Sequence, residues 1–248
     1  MRYIAFQCAY QGDAFCGSQR QLNGRSVQGD LERALQIVCK QPTPVSLAGR
    51  TDAGVHATGQ VGRFATDNRI PAAKVPLALN AHLDRACRVV KAWEVEERFH
   101  PRFSALSRCY CYTFETSEFA NPLLRQIAGH APGILNVEAM HKAAEVLVGE
   151  HDFAAWQSAG SPNGPTVRRM LRIAVSRGEA FGSPLVTVEL EANVFLYVMA
   201  RNITGALLRV GQGTLSRTEL QHLHVGLDRT QCPPPAPPQG LCLVEVKY

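Results

Sequence analysis

The sequence predicts an α+β fold of two ferredoxin-like (β-α-β-β-α-β) halves whose sheets meet around a central cleft. Three observations predict it. Ile4, Phe6, Cys8 and Tyr10 alternate through residues 2–10, the period of a half-buried strand. Val27, Leu31, Ala34, Leu35 and Val38 then recur at helical spacing behind Ser26, a natural N-cap. Past Phe99 the strand pattern restarts, and "SRCYCYTF" sets Arg108, Tyr110, Tyr112 and Phe114 on one face.

The elements follow in order. The first strand leads into the loop "YQGDAFCGSQRQ" and then the Ser26-capped helix, which Pro42 and Pro44 end. A short strand reaches Leu47, a Gly-Arg-Thr-Asp turn intervenes, and another strand runs through Val61 to Ala65. Pro76 opens a second helix carrying Val75, Leu79 and Leu83, and a strand around Val89 to Val95 completes the first β-α-β-β-α-β set. In the second half, Asn136 caps a helix built on Met140, Ala143 and Leu147, and strands fall around 169–176 and 185–192. A long helix runs from about Phe195 to Val210, and Ser216 with Glu219 forms a capping box for a shorter one. The proline-rich "CPPPAPPQG" leads to a last strand, "LCLVEVKY". The halves divide as an N-terminal domain, 1–103, carrying the Gly-Arg-Thr-Asp turn and a C-terminal domain, 104–248; no sequence repeat relates them.

Composition narrows the class. No apolar run has the length of a membrane span, and "MRYIAFQCAY" lacks the basic, apolar and small-residue order of a signal peptide. The expected location is the cytoplasm, with no membrane partner. The eight cysteines include no C-x-x-C pair and no tight Cys/His cluster, so reduced, mostly buried thiols are expected rather than a metal site. The net charge is +5, carried mostly by arginine, which can fork onto phosphate and stack on bases. Ala192 to Thr218 contains Arg201, Arg209 and Arg217 but no acid, and Arg168, Arg169, Arg172 and Arg177 lie within an equally one-signed stretch. Such segments suit a polyanion or, equally, a solvated basic face.

The most informative stretch is "AGRTDAGVHATGQV", residues 48–61. Asp52 lies on a glycine-flanked turn between strands, where an aspartate can serve the turn alone or be mounted for chemistry. The cation Arg50 two residues away favours an ionised carboxylate, and Gly49 and Gly54 let backbone approach a ligand. Arg201 stands about 140° from the apolar stripe of its helix, which suits either snorkelling to water or partnering a buried carboxylate. Tyr110 suits either the core or, beside Arg108, a base-stacking face. His56 lies near Asp52 without a paired nucleophile, and the glycine loops match neither a P-loop nor a dinucleotide fingerprint.

These residues make the chain recognisable. "AGRTDAGVHA" strongly resembles the catalytic segment of the tRNA pseudouridine synthase A family. "YQGDAFCGSQRQ", "FHPRFSALSRCYCYTF", "LVGEHDFAAW", "FLYVMARNITGALLRVGQG" and "APPQGLCLVEVKY" are similar to further segments of that family, in the same order. The resemblance implies that Asp52 is the essential catalytic aspartate and that Arg50 enters the RNA stack as the target base flips. It implies that Tyr110 packs on the flipped uracil, that Arg201 pairs with Asp52 and that Leu241 lines the pocket. It implies tRNA contacts at Phe99, His100, Arg102 and Phe103 and in "QSAGS", at Gln157 and Ser158. It further implies a homodimer acting on uridines 38 to 40 of the tRNA anticodon stem-loop, with no cofactor and no metal. The family's pattern has tryptophan at Ser18, tyrosine at Cys242 and commonly cysteine at Ala159. Two rivals stand beside this reading: a catalytically silent RNA-binding protein, and a metal-dependent hydrolase, for which a second clustered carboxylate is lacking.

Overall fold

A computed structural model describes residues 1–22, 24–160 and 164–248. The architecture is mixed, with mostly antiparallel strands and few helices. The chain forms two units, Met1–Leu106 together with Cys242–Tyr248, and Ser107–Leu241.

The first unit is built from β1 (Arg2–Tyr10), α1 (Val27–Cys39), β2 (Ser46–Leu47), β3 (His56–Thr66), α2 (Val75–Asn80) and β4 (Cys87–Val95). β1 lies between β3 and β4, antiparallel to both, and β2 pairs with β3. The middle of β1 is buried at Ile4, Ala5 and Phe6. Gly62 on β3 makes room for the Phe6 ring, which any Cβ there would strike. Ser26 caps α1 by accepting the Gly29 N–H at 3.2 Å, and the helix ends at Lys40 in a left-handed conformation (φ 57°). Helix α2 is shorter than its apolar stripe, so Leu83 lies beyond its end. Asn80, the last residue of the helix, ties that end to β4 by two side-chain bonds to the Val89 backbone, at 2.8 and 2.9 Å.

The second unit contains β5 (Ser107–Glu115), β6 (Gly129–His130), α3 (Val137–Ala144), β7 (Gly149–Asp152), β8 (Val167–Ala180), β9 (Ser183–Ala192), α4 (Met199–Gly211) and α5 (Arg217–Gly226). Its strands run β5-β9-β8-β7, each antiparallel to the next, with β6 parallel to β5. β6 and β7 are too short to show an alternating pattern. The Asn136 cap and the Ser216–Glu219 capping box both form. α4 begins at Met199 rather than near Phe195, because Val198 takes a left-handed conformation (φ 61°) that interrupts the helical path. β10 (Leu241–Lys247) returns the chain to the first unit, Cys242 and Leu243 lying parallel to His56 and Ala57 of β3. Contacts therefore group Cys242–Tyr248 with the first unit, whereas sequence order had grouped them with the second. Gly59 permits this approach, since a Cβ there would meet the Val244 carbonyl. Among the described residues, no helix is long and apolar enough to cross a membrane.

The core of the second unit holds an unusual polar pair. Trp156 is fully buried, and its Nε1–H donates to His224 Nδ1 at 3.0 Å. His224 is only 5% exposed, and its pKa is pushed down to about 4, first by burial and then by nearby His151. The folded state therefore holds neutral His224, while the unfolded chain protonates it near 6.5. The unfolded state binds more protons between these values, so stability is complete above about pH 6.5 and is lost as pH falls toward 4. Denaturant unfolding at pH 7.5 and 4.5 is expected to differ by on the order of 2–3 kcal/mol from this group, and His224→Gln to flatten that dependence.

Candidate active site

The Asp52 turn is braced on both sides. Before it, Ala48 N–H bonds the Val61 carbonyl at 2.8 Å, and the buried Gln60 amide reaches the Gly49 carbonyl at 2.9 Å. Thr51 is held at three atoms. Its N–H donates to Ser18 Oγ at 2.8 Å, its carbonyl accepts the Ser18 N–H at 3.1 Å, and its hydroxyl bonds that of Tyr10 at 2.8 Å. After it, the Asp52 carbonyl accepts the Val55 N–H at 3.1 Å, closing a four-residue turn. Gly54 (φ 81°) supplies the positive φ that a type II turn needs at its third position. Gly54 N–H is tied to the Gly12 carbonyl at 3.2 Å, and Gly12 N–H donates to His56 Nδ1 at 3.0 Å. His56 thus pins the loop after β1 through its Nδ1. Asp52 itself is half-buried, while Arg50 is exposed on the same loop. Gly49 plays no tight-packing part: a Cβ there would meet nothing within 4 Å.

Phe99, His100, Arg102 and Phe103 form a second feature of the first unit. Phe99 packs on Tyr248 with ring centroids 5.0 Å apart. His100 Nδ1 accepts the N–H groups of Arg102 (3.1 Å) and Phe103 (3.4 Å), so that nitrogen carries no proton. Burial, then Arg63 and Arg102, lower the His100 pKa, consistent with that acceptor role. Phe103 stacks near His100 at 4.5 Å, has the Arg102 guanidinium 5.6 Å from its ring, and is 76% exposed. An exposed aromatic beside a cation is chemistry suited to stacking an unpaired base.

In the second unit, Tyr110 lies opposite Leu190 on the β5–β9 ladder. It is buried, with its ring edge-on to Phe195 at 4.9 Å. The left-handed Val198 leaves Phe195 outside α4. Arg201 does not simply snorkel. Its Nε donates to the Ala236 carbonyl at 2.8 Å and its own carbonyl accepts the Ala236 N–H at 2.9 Å. The proline-rich segment thereby lies along α4, and Gly205 admits the Pro234 carbonyl where a side chain could not. Leu241 is buried, and the preceding Gly240 fits under the Tyr112 ring, whose hydroxyl donates to the Pro237 carbonyl at 2.8 Å. Gln157 and Ser158 are half-buried. Buried Asn202 anchors their loop by donating to the Trp156 carbonyl at 2.7 Å and Ser158 Oγ at 3.2 Å. Ser161, the last residue of "QSAGS", lies outside the described residues.

Sequence reasoning passed over Ser18, Tyr10, Gln60 and Asn202 as positioning residues. For Asn202 the available signal was a polar residue among the apolar residues of its helix; Ser18, in the polar run Ser18-Gln19-Arg20, gave none. The basic segments are also less free than their composition implies: Arg172 pairs with Glu189 at 3.1 Å, and Arg217 with Glu145 at 3.6 Å.

A half-buried carboxylate on a fixed turn can serve the turn alone or be mounted for proton transfer or nucleophilic attack. The sequence profile of the tRNA pseudouridine synthases matches residues 8–104 and 143–248. The chain is 42% identical to tRNA pseudouridine synthase A of Roseiflexus castenholzii over 248 residues, covering all of this chain and 91% of that one. It is 41% identical to the enzyme of that name from Shewanella amazonensis, over 99% of this chain and 92% of that one. With the one from Thermoanaerobacter pseudethanolicus it shares 39% identity over the whole of both chains. The chain belongs to the tRNA pseudouridine synthase family, a family of isomerases.

Gly12 sets a test of the turn's rigidity. A Cβ at Gly12 would run into the Val55 carbonyl, so Gly12→Ala must displace the turn or the loop after β1. We expect a melting temperature lower by roughly 5 °C, from about 1–3 kcal/mol of strain, and a larger loss of isomerase turnover measured well below that temperature.

Proposed function

We propose that this enzyme converts uridine to pseudouridine in the anticodon stem-loop of tRNA, at positions 38, 39 and 40, with Asp52 as the essential catalytic group. The observation that carries the reading is the Asp52 turn: a carboxylate carried on backbone that is held from both sides, with an exposed arginine two residues away, in a chain of this family. The reaction breaks the N1–C1′ bond, turns the uracil and joins C5 to C1′. N1 ends protonated and the C5 hydrogen leaves as a proton, so atoms and electrons balance without a redox partner. Asp52 either adds covalently or takes a proton from C2′, and both routes require it ionised.

A base in a stem must leave its stack before its C5 can be reached, at a cost of a few kcal/mol. Arg50 fills the gap, Tyr110 packs against the flipped uracil, Arg201 supplies the counter-charge for Asp52, and Leu241 contributes apolar lining. Phe99, His100, Arg102, Phe103, Gln157 and Ser158 contact the tRNA. The exposed Phe103 ring with its neighbouring guanidinium supports this role. We place the enzyme in the cytoplasm, as a homodimer of chains with ferredoxin-like halves, working without metal or cofactor.

Tritium release from a [5-³H]uridine-labelled tRNA transcript tests the reading, because substitution at C5 expels that hydrogen. Wild type is expected to release tritium and Asp52→Asn to fall by about a thousandfold or more while still binding tRNA. Exhaustive chelation is expected to leave the wild-type rate unchanged. Equal release from both proteins would assign the chemistry to another carboxylate, and arrest by chelation would favour metal-assisted chemistry. Arg50→Ala is expected to slow turnover with the tRNA dissociation constant altered less than kcat, the signature of a group that acts after binding.

A further inference from the structure

We infer that Ser18 is a positioning residue for the isomerisation, acting on Asp52 through the backbone of Thr51. The inference rests on the proposed role of Asp52. Ser18 has no solvent exposure, yet each of its polar groups is engaged. Its Oγ accepts the Thr51 N–H at 2.8 Å, its N–H donates to the Thr51 carbonyl at 3.1 Å, and its carbonyl accepts the Gln28 N–H at 2.9 Å in the first turn of α1. Ser18 thus links the catalytic turn to a helix end fixed by its own cap, Ser26. The bond from Thr51 N–H is the one made by a side chain, so it is the one a substitution can remove while the chain path stays the same.

The geometry explains why this bond bears on chemistry as well as on folding. Thr51 immediately precedes Asp52, and its N–H and carbonyl together fix the orientation of the peptide planes on either side of Thr51. A rotation there swings the next Cα–Cβ bond and displaces the carboxylate, and catalysis is steep in such displacements. The Tyr10 hydroxyl grips Thr51 independently, at its side chain (2.8 Å), and is in turn approached by the Gln60 amide at 3.3 Å. Two separate anchors on one residue are what holding the next residue still requires. Loss of either leaves the other in place, so the turn loosens without unfolding. Ser18 touches no reacting atom in this account; its effect passes through Asp52 alone.

The experiment compares wild type, Ser18→Ala, Ser18→Cys, Tyr10→Phe, Asp52→Asn and Leu35→Val, using tritium release from [5-³H]uridine-labelled tRNA transcript at saturation. Binding of the same transcript and thermal melting are measured in parallel. Ser18→Cys fills the same buried space with a sulfur that accepts hydrogen bonds weakly, and keeps the test available if the alanine variant does not fold. Leu35→Val removes a buried methylene from α1, at a site the grip on Thr51 does not involve, and serves as the destabilised control. The expected result is a kcat lower by roughly ten- to a hundredfold in the Ser18 variants, with the tRNA dissociation constant within about twofold of wild type. Leu35→Val is expected to melt earlier with unchanged kcat. Ser18→Ala and Tyr10→Phe should combine non-additively in kcat, as two anchors of one residue do. Wild-type kcat in the folded Ser18 variants, with Asp52→Asn inactive, overturns the inference and leaves the function standing. The inference also falls if Leu35→Val loses kcat in step with the Ser18 variants, since general destabilisation then accounts for the loss. Full activity in Asp52→Asn removes the reading on which the inference is built.

Discussion

The first unit turns on how the polar atoms of Thr51 are satisfied. A turn that carries a carboxylate must end close to packed strands, yet its own amides cannot be left dry and unpaired. The chain solves this with two side-chain hydroxyls, from Ser18 and Tyr10, and with backbone supplied by the loop after β1. Gly12 and Gly54 complete the arrangement, one by having no side chain to obstruct Val55 and the other by accepting a positive φ. The loop after β1 and the Asp52 turn are therefore one structural object, although roughly forty residues separate them in sequence. Neither makes sense alone.

The second unit uses α4 in a comparable way. Arg201, Asn202 and Gly205 follow one another along the helix and each receives a different guest: the Ala236 backbone, the Trp156–Ser158 loop and the Pro234 carbonyl. Prolines suit the segment laid against this helix, because they give up N–H groups that would otherwise need partners and lower the entropy lost on docking. The helix is at once core, with Ile203, Ala206 and Leu207 fully buried, and a rail for irregular chain.

Much of this was legible in the sequence, and the reasons differ by element. Strand β9 alternates because one face is core, β1 keeps its apolar period although Ala5 between Ile4 and Phe6 is buried too, and the caps at Ser26, Asn136 and Ser216 announce themselves by residue type and spacing. The start of α4 was not legible: Phe195 to Val198 continue the apolar spacing, and nothing local marks Val198 as left-handed. The short β6 and β7 exist through pairing rather than propensity, and the return of β10 to β3 is a long-range fact that local pattern does not carry. At the candidate site, Asp52 and Arg50 stood out by motif. The braces did not, because a buried serine or glutamine reads as an ordinary polar residue until its partner is known. Arg201 shows the opposite limit: helical spacing left two fates open, and its bond to the Ala236 carbonyl is a further contact that spacing does not disclose.

The return of β10 also bears on how the chain is made. Synthesis runs from the N-terminus, so β1 to β4, α1 and the Asp52 turn all leave the ribosome long before Cys242–Tyr248 exist. During that interval the start of β3, at His56 and Ala57, lacks its parallel neighbour and presents an unpaired edge beside the Asp52 turn. Residues far along the chain, Cys242 and Leu243, are the ones that close it. A chain stalled before Cys242 would thus hold the whole Asp52 turn and still expose an unpaired strand edge, which ties the protection of the first unit to residues made much later.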